Sequence, residues 1–177
     1  MALHLIIDGY NLLGARGQGP GGGLRELEPL REALIQELAR YRQTKAHPVT
    51  VVFDGWQAGL GAERREHRSG VEVVYSRRGE RADQVIRRLV EGYGRDCAVV
   101  SSDREVADHA RARGAFVIAA WEFDARLRAA PVPPGRFPAK GAEPGDERPV
   151  RRNPEKKGNP RKLPKAVRKR NRMLGRF

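Results

Sequence analysis

Five short apolar runs recur between Leu3 and Ala119: Leu3–Ile7, Val49–Phe53, Val71–Tyr75, Ala98–Val100 and Ala115–Ala119. Most are β-branched and close to continuous. A strand with water on one face alternates apolar and polar residues, whereas a strand covered on both faces does not. The stretches between them carry a helical period. Leu27, Leu30, Leu34, Leu38 and Tyr41 repeat every three or four residues, as do Val85, Ile86, Leu89, Val90 and Tyr93. Val106, Ala107 and Ala110 form a third stripe, stopped by Gly114 at a C′ position, and a last short helix is expected over Glu122–Leu127. Strands alternating with helices predict an α/β fold: a three-layer α/β/α sandwich with a mainly parallel central sheet and right-handed crossovers.

Charge divides the chain. Up to Ala130 there are 20 Lys and Arg against 18 Asp and Glu; from Pro131 onward there are 15 against 4. The body is thus near neutral, and the tail carries +11 of the total +13. Prolines punctuate that tail, which has too little apolar surface to fold alone. Residues 131–177 are therefore expected to be disordered until bound, with only Lys165–Leu174 able to become helical. Within the body, Gly17–Gly23 reads as a flexible loop and Gly59–Gly70 as a basic one, with Arg64, Arg65, His67 and Arg68. Cys97 is the only cysteine, so neither an intrachain disulfide nor a cysteine zinc site can form. The apolar N-terminal run breaks at Asp8, too soon for a signal peptide or a membrane span. The expectation is a soluble, cytoplasmic protein with no membrane partner.

The chemistry lies in where the aspartates fall. Leu5-Ile6-Ile7-Asp8 and Val51-Val52-Phe53-Asp54 each end a strand with an acid, and Val99-Val100-Ser101-Ser102-Asp103 nearly does. Open parallel sheets bind ligands outside the carboxyl ends of their strands, so these acids converge on one edge. Asp83 enters the second helix from that edge, and Asn11 lies three residues after Asp8. Carboxylates so gathered stay ionised only around a cation, and hard oxygen donors select Mg²⁺ or Mn²⁺. Each acid also has a plainer reading. Asp8 or Asp54 can open a turn, and Ser102-Asp103-Arg104-Glu105 reads as a capping box.

Other candidates are weaker. Cys97 begins a strand and reads as a small core residue. The four histidines lack metal-ligand spacing, and the Gly17–Gly23 loop lacks the Gly-Lys-Ser/Thr of a P-loop. Trp56 and Trp121 have the shape to stack bases, but packing is the simpler reading.

Taken in order, Leu5-Ile-Ile-Asp-Gly-Tyr-Asn-Leu-Leu-Gly14, Val51-Val-Phe-Asp54, Val71-Glu-Val-Val-Tyr-Ser76 with Gly79-Glu-Arg-Ala-Asp83, and Val99-Val-Ser-Ser-Asp103 resemble the YacP-like branch of the NYN domains, relatives of PIN-domain nucleases. The resemblance covers about Leu3 to Leu127. It implies a nuclease domain over residues 1–130 and a divalent-metal-dependent endoribonuclease of RNA processing or decay, some relatives acting on messages held in the ribosome. Asp8, Asn11, Asp54, Asp83 and Asp103 match the family's acidic positions, with Asp8, Asp83 and Asp103 expected to hold the metal. Asp54 and Asn11 are expected to position water or the groups around the metal ligands. Glu80 matches a common glutamate whose role stays open, and none of Glu26, Glu28 or Glu32 aligns clearly enough to carry over.

RNA is then the expected partner, with the ribosome a candidate. Arg16, Arg77, Arg78 and Arg81 lie near the expected edge and are candidates to hold phosphates. In the tail Arg161, Lys162, Lys165, Arg168, Lys169, Arg170 and Arg172 have the pattern of a non-specific phosphate-binding arm. Two other classes compete. A receiver- or haloacid-dehalogenase-like phosphoryl-transfer protein also puts aspartates at strand ends. It needs a lysine in the site, and Lys45 is the body's only one. A non-catalytic RNA- or ribosome-binding adaptor would leave the acid set without a purpose.

Overall fold

The computed structural model describes residues 2–18, 24–55, 61–129 and 165–177, with the side chains of 24–26 set aside. Most of the glycine-rich loop before α2, and most of the tail for which disorder is expected, lie outside the described residues. The chain divides after Pro131 into two units, each described by itself, with Phe177 counted in the first. The body runs β1 (His4–Asp8), α1 (Gly9–Ala15), α2 (Leu24–Lys45), β2 (Val49–Phe53), β3 (Arg64–Arg68), β4 (Val71–Tyr75), α3 (Ala82–Tyr93), β5 (Cys97–Val100), α4 (Arg104–Ala112), β6 (Phe116–Ile118) and α5 (Ala120–Ala129). In the second unit the described helix is α6 (Lys165–Leu174), over the residues the sequence allows to be helical.

The sheet order is β3-β4-β2-β1-β5-β6. All neighbouring pairs are parallel except β3 with β4. The continuous apolar runs are explained by cover on both sides: β2 and β5 are buried along their whole length. Ile6, Val52, Val74 and Val99 meet Val85, Ile86 and Val90 of α3 and Val106 and Ala110 of α4 on one face. Helices α1, α2 and α5 pack together on the other. The expected three layers are present.

Three local readings need correction. The basic segment before Gly70 is not all loop, since Arg64–Arg68 is an edge strand. Arg68 pairs with Val71, leaving Ser69 and Gly70 as a two-residue turn with φ of 50° and 83°. Two positive φ values are what a tight hairpin needs. Second, the helix α1 follows Asp8 directly, where the sequence reading places no helix. Third, α4 is capped by Asp103, whose Oδ1 accepts from the Val106 amide at 3.0 Å, rather than by Ser102. Ser102 Oγ accepts instead from the Ala120 amide. Gly114, with φ of 81°, stands just past the C-cap Arg113, as its position in the sequence suggests. Cys97 is a core residue, its thiol pushed up to about 11 by burial, with Asp96 adding to it.

Candidate active site

From β1 the chain steps outward to β2 and β4, then returns to lay β5 and β6 on the other side of β1. The order reverses between β1 and β5, the switch point where open α/β sheets take ligands.

Asp8 ends β1 there and caps α1: Oδ1 accepts from the Asn11 amide at 3.0 Å. Oδ2 lies 3.5 Å from Ser101 Oγ, just after β5. The residue is 7% exposed. Burial pushes its carboxyl up to about 6, and the negative charges of Asp83 and Asp54 push the same way. Gly9 follows because nothing larger fits; a Cβ there would lie 2.3 Å from the Phe53 ring.

Asp54 follows β2, and its Oδ1 accepts from the Ala82 amide at 2.5 Å. It thereby caps the first turn of α3 from a distant part of the chain, which places Asp83 on the next residue of that turn. Burial raises the Asp54 carboxyl, with Asp83 adding to it. Asp83 in turn pairs with Arg81 at 2.9 Å. Asn11 Oδ1 accepts from the Ser102 amide at 2.8 Å, tying α1 to the segment after β5.

The structure thus brings Asp8, Asp54 and Asp83 within electrostatic reach of one another. Asp103 is linked to Asp8 through Ser101, whose Oγ accepts from the Asp103 amide at 3.1 Å and lies 3.5 Å from Asp8 Oδ2. Glu80 is buried and turned to other work, bound by Arg88 at 2.5 Å and faced by Arg77 at 3.6 Å. Among the described residues no three His, Cys, Asp or Glu side chains enclose an ion by themselves. The donor set still suits a hard divalent cation. Magnesium commonly takes one or two carboxylates and keeps several waters, and acids that repel one another gain from its charge.

The arginines divide. Arg77, Arg78 and Arg81 are exposed on the segment between β4 and α3, where Arg81 pairs with Asp83 and Arg77 faces Glu80. Arg16 is not available to a phosphate. Its side chain is 6% exposed and grips Asp124 at 2.6 Å and Glu37 at 2.7 Å, an ion cluster that joins α1, α2 and α5. Lys165, Arg168, Lys169, Arg170 and Arg172 lie on α6, while Arg161, Lys162 and Trp56 fall outside the described residues. Trp121 reads as packing in the sequence, yet it is 66% exposed, one residue after the Ala120 amide bound by Ser102. No sequence pattern points to Arg31. It donates to Tyr10 Oη at 3.3 Å and lies 5.7 Å from the Tyr75 ring centre, a placement that depends on how α2 docks.

A mostly parallel sheet with acids gathered at its switch point defines an NYN-type domain of the PIN-like nuclease superfamily. More particularly, residues 5–143 match the YacP-like NYN domain, and the chain belongs to that family. It is 34% identical over 87 residues to the uncharacterized protein YacP of Bacillus subtilis (strain 168), a match spanning 49% of this chain and 51% of that protein. The aligned part is thus about half the length of that curated relative. The crystal structure of Rae1 (YacP) from Bacillus subtilis matches with a TM-score of 0.58 and 27% identity, covering 71% of this chain and 74% of the other. The structure of a tryptophan-to-leucine mutant of that relative gives 0.59 and 29%, covering 73% and 76%.

Proposed function

We propose that this chain is a divalent-metal-dependent endoribonuclease that hydrolyses RNA phosphodiester bonds in RNA decay or processing, with ribosome-held RNA as a candidate substrate. The observation that carries the reading is the trio of Asp8, Asp54 and Asp83 at the switch point, where burial and neighbouring negative charge hold the Asp8 and Asp54 carboxyls up. Asp8, Asp83 and Asp103 are the residues that would hold Mg²⁺ or Mn²⁺. The cation would neutralise them and act as a Lewis acid on the phosphate. Asp54, anchored on the α3 amide, and Asn11, anchored on the Ser102 amide, orient the attacking water. With its Oδ1 occupied, Asn11 keeps its Nδ2 hydrogens to donate. Arg77, Arg78 and Arg81 steady flanking phosphates.

The phosphoryl-transfer alternative loses ground. Lys45 closes α2 just before β2 begins, at the opposite end of the strands from Asp54. The adaptor reading leaves three crowded acids, one of them buried and costly to ionise, without a purpose.

The test is incubation with labelled RNA, with and without ribosomes, in Mg²⁺, Mn²⁺ and EDTA. Cleavage should require the metal. Asp8→Asn and Asp83→Asn should each lower it by at least about 100-fold while circular dichroism stays wild-type, as expected when a group needed for transition-state charge is lost. Undiminished cleavage in EDTA, or by both variants in Mg²⁺, would overturn the assignment.

A further inference from the structure

Arg31 is positioned by aromatic side chains and is not ion-paired among the described residues. Its Nη1 donates to Tyr10 Oη at 3.3 Å, and its guanidinium carbon stands 5.7 Å from the Tyr75 ring centre. Among the described residues no carboxylate pairs with it. Nearby cations differ: Arg68 grips Glu32 with both terminal nitrogens, at 2.6 and 2.9 Å, and Arg64 meets Glu66 at 3.1 Å. A phenol oxygen and a ring face fix a guanidinium in place without cancelling its charge.

The two tyrosines connect this cation to the acids. Tyr10 meets the Phe53 ring edge-on at 5.4 Å, and Tyr75 stacks on it at 5.9 Å. Phe53 immediately precedes Asp54, and Tyr10 follows Asp8 by two residues. Arg31 therefore sits across an aromatic layer from the Asp54 side of the acid trio, and both Arg31 and Asp54 act on the Tyr10 hydroxyl. A guanidinium has five N–H donors, and a planar fork of that kind matches two oxygens of one phosphate. A half-buried fork with most donors unspent, next to a site for phosphodiester chemistry, calls for an anionic ligand of that shape.

We propose that Arg31 holds a phosphate of the RNA backbone next to the cleaved one, in a subsite whose geometry Tyr10 and Tyr75 fix. The inference rests on the ribonuclease reading for its ligand, so binding and cleavage are measured separately. Full-length protein in EDTA and moderate salt is titrated with fluorescent single-stranded tetraribonucleotides. One is unmodified, and each of the others carries one uncharged methylphosphonate at a different linkage. Arg31→Gln should weaken binding of the unmodified strand about tenfold, as loss of a charge-assisted bidentate contact would. At one linkage the methylphosphonate should abolish the difference between wild type and Arg31→Gln. Arg31→Lys, which keeps the charge and stem but not the fork, should recover part of the affinity.

A merely structural arginine would weaken every strand of the series alike. That result, or equal affinity of wild type and Arg31→Gln, or no binding by wild type, overturns the subsite. Cleavage of RNA in Mg²⁺ without such coupling removes the subsite and leaves the nuclease reading. Coupling without cleavage does the reverse.

Discussion

Asp8 must carry a negative charge where water scarcely reaches, and the consequence is measurable without any substrate. Burial pushes its carboxyl from the reference value of 3.8 up to about 6. A group whose folded pKa is raised contributes stability that is fully present below the unfolded value. That stability is lost as pH rises through the folded value. Metal-free protein should therefore lose about 3 kcal/mol from this group between about pH 4 and pH 7, at roughly 1.4 kcal/mol per pKa unit. Comparing wild type with Asp8→Asn in EDTA isolates the effect. The variant should be the more stable at pH 7, with the gap closing toward pH 4, and Mg²⁺ should raise the melting temperature of wild type only. Equal pH profiles would mean that Asp8 is better solvated than its burial indicates. Asp8 and Asp54 were legible in the sequence because an apolar run that stops at an acid marks a strand end by itself. Arg16 and Arg31 were not. Each depends on how α2 docks, and a helical period reveals the buried face of a helix without naming its neighbours. Arg16, placed near the edge by its number, turns inward to a partner 108 residues away.

Among the elements, the turn after β2 is the most tightly built. Gly55 donates to Ser76 Oγ at 3.0 Å, and Ser76 donates on to the Glu80 carbonyl at 2.7 Å. A Cβ on Gly55 would lie 1.9 Å from the Ser76 carbonyl oxygen, which is backbone and cannot swing aside. Gly55→Ala should cost about 1–3 kcal/mol through overpacking. It should also draw Asp54 off the α3 amide, so that RNA cleavage falls by more than the unfolded fraction explains. Gly61→Ala, with nothing within 4 Å of its Cβ, is the control and should leave both unchanged. Urea midpoints beside cleavage rates settle the comparison. The buried strands and the longer helices announced themselves through continuous or 3.6-residue apolar patterns. Strand β3 did not, because Arg-Arg-Glu-His-Arg buries neither face well; its pairing comes from the Ser69-Gly70 turn and the open edge of β4. Helix α1, only seven residues long, is too short to display a period.

For the molecule as a whole the uneven charge is the dominant fact. We propose that the near-neutral body cuts and the +11 tail gathers RNA. Each phosphate neutralised on a single strand contributes about −0.7 to the slope of log affinity against log salt, so about six contacts give a slope near −4. Replacing Arg168, Lys169, Arg170 and Arg172 with Gln in the full chain should flatten that slope by up to about 3 units and weaken binding at low salt. Cleavage at saturating RNA should persist. An unchanged slope would shift the anchoring role to the cations of β3. The tail's composition made its charge plain in advance, but composition alone does not fix which residues touch RNA. The same strand β3 governs how copies of the molecule treat one another. A neighbour adding to that rim would have to accommodate the charged side chains of Arg64, Arg65 and Arg68 together with their carboxylate partners Glu66, Glu63 and Glu32, and the opposite rim, β6, offers three residues of backbone. Both margins thus discourage sheet-to-sheet growth, so crowding alone should not drive this protein toward fibrils.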